Sequence, residues 1–128
     1  MTTTGLAKWY GYMKSHDSTM LWDLLHPEAV FESPVVHTPQ RGRDVTFKYL
    51  ASAETVLGGP GFRYVGEWRN DTSAVLEFEN EIEGIKLNGV DIITFDADDR
   101  ITNFKVMVRP LKAVNLLHRL MGDQLAKL

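Results

Sequence analysis

The sequence predicts an α+β fold in which helices pack on one face of a curved, mostly antiparallel sheet. Two observations carry that expectation. Apolar residues recur at helical spacing in three segments before residue 58, and from Phe62 the period changes to two. Four strand-like runs then follow one another with no crossover helix between them, so they pair antiparallel. A length of 128 residues suits one domain with one core, spanning residues 1–128.

Leu6, Trp9, Tyr10 and Met13 form one apolar stripe on a first helix. Asp17 or Ser18 offers a side-chain oxygen to cap a second, whose buried face is Met20, Leu21, Leu24 and Leu25. Pro27 is expected to end it, because the residue before a proline is pushed out of the helical region. AVFES then reads as a short strand closed by Pro34. Gly42 precedes a third helix, about 44–57, with Phe47, Leu50, Ala51 and Leu57 facing inward. The GGPG at 58–61 stops it.

In FRYVGEWRN, strict alternation puts Phe62, Tyr64, Gly66 and Trp68 on one face. In SAVLEFENEIEG, Leu76, Phe78, Asn80 and Ile82 oppose Glu77, Glu79, Glu81 and Glu83. KLNGVDIITFDADDRITNFKVMVRP supplies two strands joined by a tight turn at 96–100. Pro110 suits the first turn of a last helix with the stripe Leu111, Val114, Leu117, His118, Met121 and Leu125. The strand 87–95 is apolar on both faces, Gly89, Asp91, Ile93 and Phe95 on one and Val90 and Ile92 on the other. An antiparallel strand with one wet face should alternate cleanly. Its second face therefore calls for a cover, and a second copy of the chain is the expected one.

Composition narrows the function. The net charge is −3 and the 14 basic residues are scattered, which speaks against a nucleic-acid partner. Without cysteine there is no disulfide, no thiolate nucleophile and little scope for structural zinc. The four histidines show no HxH or HxxxH spacing, so neither a metal nor a cofactor is expected. No apolar run spans a bilayer and MTTTGLAKWY lacks the layout of a signal peptide, so no membrane partner and a cytoplasmic location are expected.

The element order, with AVFESPVVHTPQRG leading into the third helix and NGVDIITFDADDRI leading into the last strand, resembles the nuclear transport factor 2-like superfamily. It is most similar to the SnoaL-like and ketosteroid-isomerase-like branch, from Leu6 to about Pro110. The resemblance implies a cystatin-like, cone-shaped barrel: a bent sheet wraps the N-terminal helices and leaves an apolar small-molecule pocket at its wide end. It also implies a homodimer packed through the outer face of the sheet. On the isomerases' pattern the general base falls on Ser33, which has no base beside it. Allylic isomerisation of a ketosteroid is then not expected. The acid that donates to the developing oxyanion falls on Asp91, and the tyrosine of helix one falls on Trp9, beside Tyr10. The epoxide hydrolases' arginine-bridged pair of carboxylates is not matched, since only Asp91 is placed in the pocket. The polyketide cyclases' single pocket acid is.

The catalytic candidates are therefore Asp91 and His37. A carboxyl among Val90, Ile92, Ile93 and Phe95 should have a raised pKa and act as acid or hydrogen-bond donor. His37 lies between Pro34 and Pro39 in a stiff loop and is expected at the pocket mouth, unless it merely bonds its own loop. The ligand-binding candidates are Tyr10, Ser33, Tyr64, Trp68, Phe78 and Asn80. The three aromatics with a polar tip serve equally as core. The Asn80 amide needs a partner, either a ligand, a water or a backbone carbonyl. The expected function is an acid–base enzyme of isomerase, cyclase or hydratase type acting on an apolar cyclic or polyketide-like substrate. The alternative is a noncatalytic ligand-binding protein or a dimeric interaction module on the same scaffold.

Overall fold

The computed structural model describes residues 2–127. Helix α1 spans Thr2–Ser15 and buries Leu6, Trp9 and Tyr12 against the sheet. Helix α2, Ser18–Leu24, is capped by Asp17, whose Oδ1 accepts the Thr19 N–H at 2.9 Å. It ends earlier than Pro27 suggests, and Met20 on its expected buried face is exposed. Strand β1 begins at once and runs Leu25–Glu32. Its pairing slips between Leu25 and Val30, so Pro27 falls in an irregular stretch where a missing N–H costs no ladder bond.

A two-residue strand, β2 (Gln40–Arg41), turns back onto Val30 and Phe31, so the loop carrying His37 is the tip of a hairpin. Helix α3 (Arg43–Leu57) follows Gly42, whose φ of 112° suits glycine. Then come β3 (Arg63–Arg69), β4 (Ser73–Ile82), β5 (Ile85–Phe95) and β6 (Ile101–Arg109), and finally α4 (Leu111–Leu125). The six strands form one curved, unclosed sheet in the order β2-β1-β6-β5-β4-β3. Only the β1–β6 pair is parallel. This is the α+β architecture that the change of period predicts.

Register decides which side chains meet the helices. Leu76 stands opposite Asp91 and Phe78 opposite Gly89, and all four are buried on the concave face. Glu77 and Glu79 lie on the other face, as alternation requires.

Strand β3 departs from strict alternation. Tyr64 pairs with Phe78 but Gly66 pairs with Glu77, leaving Val65 as an extra residue. This bulge inverts the remainder of the strand. Glu67 pairs with Leu76 on the concave side, whereas Trp68 pairs with Val75 outside and is 58% exposed.

The last helix is rotated from its expected stripe. Two apolar stripes overlap in its sequence, and the one that packs is Ala113, Leu116 and Leu117. Leu111 is exposed at the first turn and His118 is exposed too. Among the described residues no helix is long and apolar enough to cross a membrane.

Candidate active site

Helices α1 and α3 and the concave face of the sheet enclose a cavity with about 410 Å³ of empty space, mouth included. Its wall is mainly apolar, with Met13, Leu50, Phe62, Phe78 and Phe104 among its residues. Four polar side chains also reach it: Asp91, Tyr64, Trp9 and Glu54.

Three of these form a chain. The Trp9 indole Nε1–H donates to the Tyr64 hydroxyl at 3.1 Å, and that hydroxyl donates to Asp91 Oδ2 at 2.6 Å. Tyr64 has one proton to give and gives it to Oδ2. Oδ1 takes no hydrogen bond from the described residues, so it is the carboxyl position left for a proton or a ligand. Burial pushes the Asp91 pKa up from 3.8 to about 7, and the hydrogen bond from Tyr64 pulls the other way. Burial likewise drives the Tyr64 phenol well above its ordinary value, and the charge of Asp91 adds to this. Tyr64 is therefore a fixed donor near neutrality, whereas Asp91 is poised between acid and base.

Glu54 enters from α3. Its carboxyl pairs with His16 Nδ1 at the end of α1. His16 adopts a left-handed φ of 58°, and its N–H closes the helix on the Tyr12 carbonyl at 2.8 Å. Burial, and next the charge of Glu54, push the Tyr12 phenol up to about 12. The sequence reading missed both residues of this pair. A signal for Glu54 exists: Leu50, Glu54 and Leu57 are spaced i, i+4, i+7 and share one helix face. Nothing in the local sequence marks His16, because its role comes from a contact across the fold.

The expected site residues divide. Asp91, Tyr64 and Phe78 line one cavity. Tyr10 stands behind it, its ring edge-on to Tyr64 at 5.9 Å and its hydroxyl donating to Glu67 Oε1 at 2.6 Å. Burial and that bond raise the Tyr10 pKa.

The others lie elsewhere. His37 is exposed at the hairpin tip and lines neither this cavity nor the neighbouring one, so it does not share a cavity with Asp91. The prolines stiffen a corner that points the imidazole to solvent. Ser33 Oγ accepts the N–H groups of Val35 and Val36 at 3.0 and 3.3 Å, a turn motif, and Ser33 lines the neighbouring cavity instead. Trp68 is carried to the convex face by the bulge. Asn80 is buried but spends its amide on the backbone: Nδ2 donates to the Leu57 carbonyl at 2.6 Å, and Oδ1 accepts the Glu81 N–H at 2.7 Å. It ties down the end of α3 and does not line the Asp91 cavity. Among the described residues no three His, Asp or Glu side chains gather closely enough to hold a metal ion.

Comparison with known proteins agrees with this geometry. A steroid delta-isomerase from Pseudomonas aeruginosa is 37% identical, with a TM-score of 0.89 over 98% of this chain and 92% of that chain. An uncharacterised bacterial protein with a cystatin-like fold, from Silicibacter pomeroyi, is 26% identical, with a TM-score of 0.85 over 94% and 84% of the two chains. A putative polyketide cyclase from Sinorhizobium meliloti is 13% identical, with a TM-score of 0.64 over 81% and 94%, a likeness of fold alone. Curated protein sequences yield no significant match. The SnoaL-like domain family matches residues 6–104. A curved sheet around an apolar cavity, structural neighbours of this kind and a family match over most of the sequence agree: the chain belongs to the SnoaL-like domain family.

Proposed function

We propose that the protein is a cofactor-free acid–base enzyme that moves a proton on a carbon next to a carbonyl group of an apolar, cyclic substrate. The observation that carries this reading is the buried Asp91 carboxyl, held by Tyr64 with Oδ1 left open in an apolar cavity. A substrate oxygen at Oδ1 receives a hydrogen bond from protonated Asp91, and that bond strengthens as negative charge builds on the oxygen. Tyr64 and Trp9 keep the carboxyl in place and cost no reorganisation during the reaction. Ser33 offers no base, so proton acceptance falls to Glu54, the second carboxylate of the same cavity. Its partner His16 holds the carboxyl in position. The 37% identity to a steroid delta-isomerase supports a rigid cyclic ketone as the substrate type.

The test is proton exchange. A 3-oxosteroid in deuterated buffer should exchange its α-protons faster with the protein than without, as read by NMR. Asp91→Ala should slow exchange by roughly 10²–10³-fold, the usual cost of losing an oxyanion donor, and Glu54→Gln should abolish it. Tight ketone binding with exchange at the buffer rate would refute catalysis and leave a ligand-binding protein.

The same reading includes a homodimer packed through the convex face. Trp68 and Met107 are exposed there at 58% and 52%, beside the half-buried Val75, Val90 and Ile92. Such an apolar face on a monomer is costly to leave wet.

A further inference from the structure

A second cavity, with about 640 Å³ of empty space when its open mouth is included, lies between α3, α4 and the Pro34 corner. Three residues, Ala53, Leu57 and Val106, face both, so the two spaces share one wall.

Their chemistry differs. The first cavity gathers Asp91, Tyr64, Trp9 and Glu54. The second is walled mainly by Phe31, Val35, Leu117, Met121 and Leu125. Of its polar groups, the Ser33 hydroxyl is engaged by two backbone N–H groups, His118 is exposed at the rim, and Tyr49 adds one phenol whose ring stacks on Phe31 at 5.2 Å. A charged or strongly polar group placed there would lose its water and find little in exchange.

We propose that the second cavity is a tail site for the same ligand, which passes Leu57 to reach it. The ligand is then amphiphilic: one carbonyl or hydroxyl oxygen at Asp91, and an apolar extension beneath α4. Helix α4 serves as the roof of that extension, and Leu57 divides head from tail. The inference rests on the reading that a ligand oxygen sits at Asp91, and the experiment separates the two.

Phenol and the 4-alkylphenols up to 4-hexylphenol supply an oxygen head with a tail of increasing length. Their dissociation constants are measured by calorimetry with the wild type, Met121→Trp and Asp91→Asn. In the wild type each methylene beyond the first cavity should tighten binding by roughly fourfold. The ratio of 4-hexylphenol to phenol affinity should then reach at least about a hundredfold. Met121→Trp, which fills the tail site, should collapse that ratio, whereas Asp91→Asn should weaken every member by a similar factor.

NMR gives a second readout that needs no core substitution: 4-hexylphenol should shift the Met121 methyl signal and phenol should not. A ratio that is flat in the wild type, or one that survives Met121→Trp with an unmoved Met121 methyl, overturns the tail site. A ratio that collapses in Met121→Trp while Asp91→Asn changes nothing upholds the tail site and overturns the placement of the head.

Discussion

The Tyr64 hydroxyl donates to Asp91 Oδ2 at 2.6 Å although the two residues stand on strands that do not pair with each other. Tyr64 lies opposite Phe78 and Asp91 opposite Leu76, so the bond passes over β4 between its two neighbours. Curvature of the sheet and the length of a tyrosine make it reachable. Trp9 then ties the phenol to α1, so one network joins helix, edge strand and central strand.

Asp91 should set a pH dependence of stability. Its folded pKa, about 7, lies above the ordinary 3.8. The group therefore contributes stability that is complete below about pH 4 and is lost as pH rises through about 7. At about 1.4 kcal/mol per pKa unit this amounts to at most roughly 4 kcal/mol. Asp91→Asn removes the slope, so the variant should be more stable than the wild type at pH 8 and gain least at pH 4. Denaturant titrations of both proteins across that range check it.

Tyr64→Phe should act in the opposite sense on the carboxyl itself. The phenol hydrogen bond holds the Asp91 pKa down, so its removal raises the value above about 7. A bond to a charged acceptor is worth about 1.5–3 kcal/mol, or roughly one to two pKa units. Carbon-detected NMR of the Asp91 carboxyl should show the shift. The alkaline limb of kcat/KM should move upward with it, because the protonated form is the donor.

Asn80→Ala should separate scaffold from site. It leaves the Leu57 carbonyl without its side-chain donor, at a cost of about 1–3 kcal/mol. Phenol affinity should stay at the wild-type value, because Asn80 does not line the Asp91 cavity. A lower Tm with unchanged calorimetry is the expected pair of results.

The convex face should hold two copies together. Light scattering should give about twice the 14.5 kDa of one chain. Met107→Glu should shift that mass towards the monomer, with the far-ultraviolet circular dichroism unchanged. A wild type that runs as a monomer at micromolar concentration would refute the interface.

Much of the fold is legible in the sequence because it rests on periodicity. The change from 3.6 to 2 fixes helices before sheet, and the glutamates of β4 fix its register, hence the burial of Asp91. What periodicity does not carry is what was misplaced. The extra residue Val65 is invisible in a run that alternates on paper, so Trp68 was put on the wrong face. Ser33, His37 and Asn80 are polar residues whose partners are backbone groups or solvent, and only the folded chain shows whether such a side chain is spent. The pairing of His16 with Glu54 needs α1 to lie beside α3, a fact that belongs to packing rather than to either segment.

At high concentration, an open sheet risks gaining a strand from another molecule along its rim, the first step towards fibres. Both rims of this sheet resist that. On one side β2 is only two residues long and offers almost nothing to copy. On the other, β3 is bent at Val65 and carries Arg63, Glu67 and Arg69. Deleting Val65 would straighten that strand while keeping Glu67 opposite Leu76 and Trp68 opposite Val75. The rim would become an unbroken template, and a protein shielded from filament growth would become open to it.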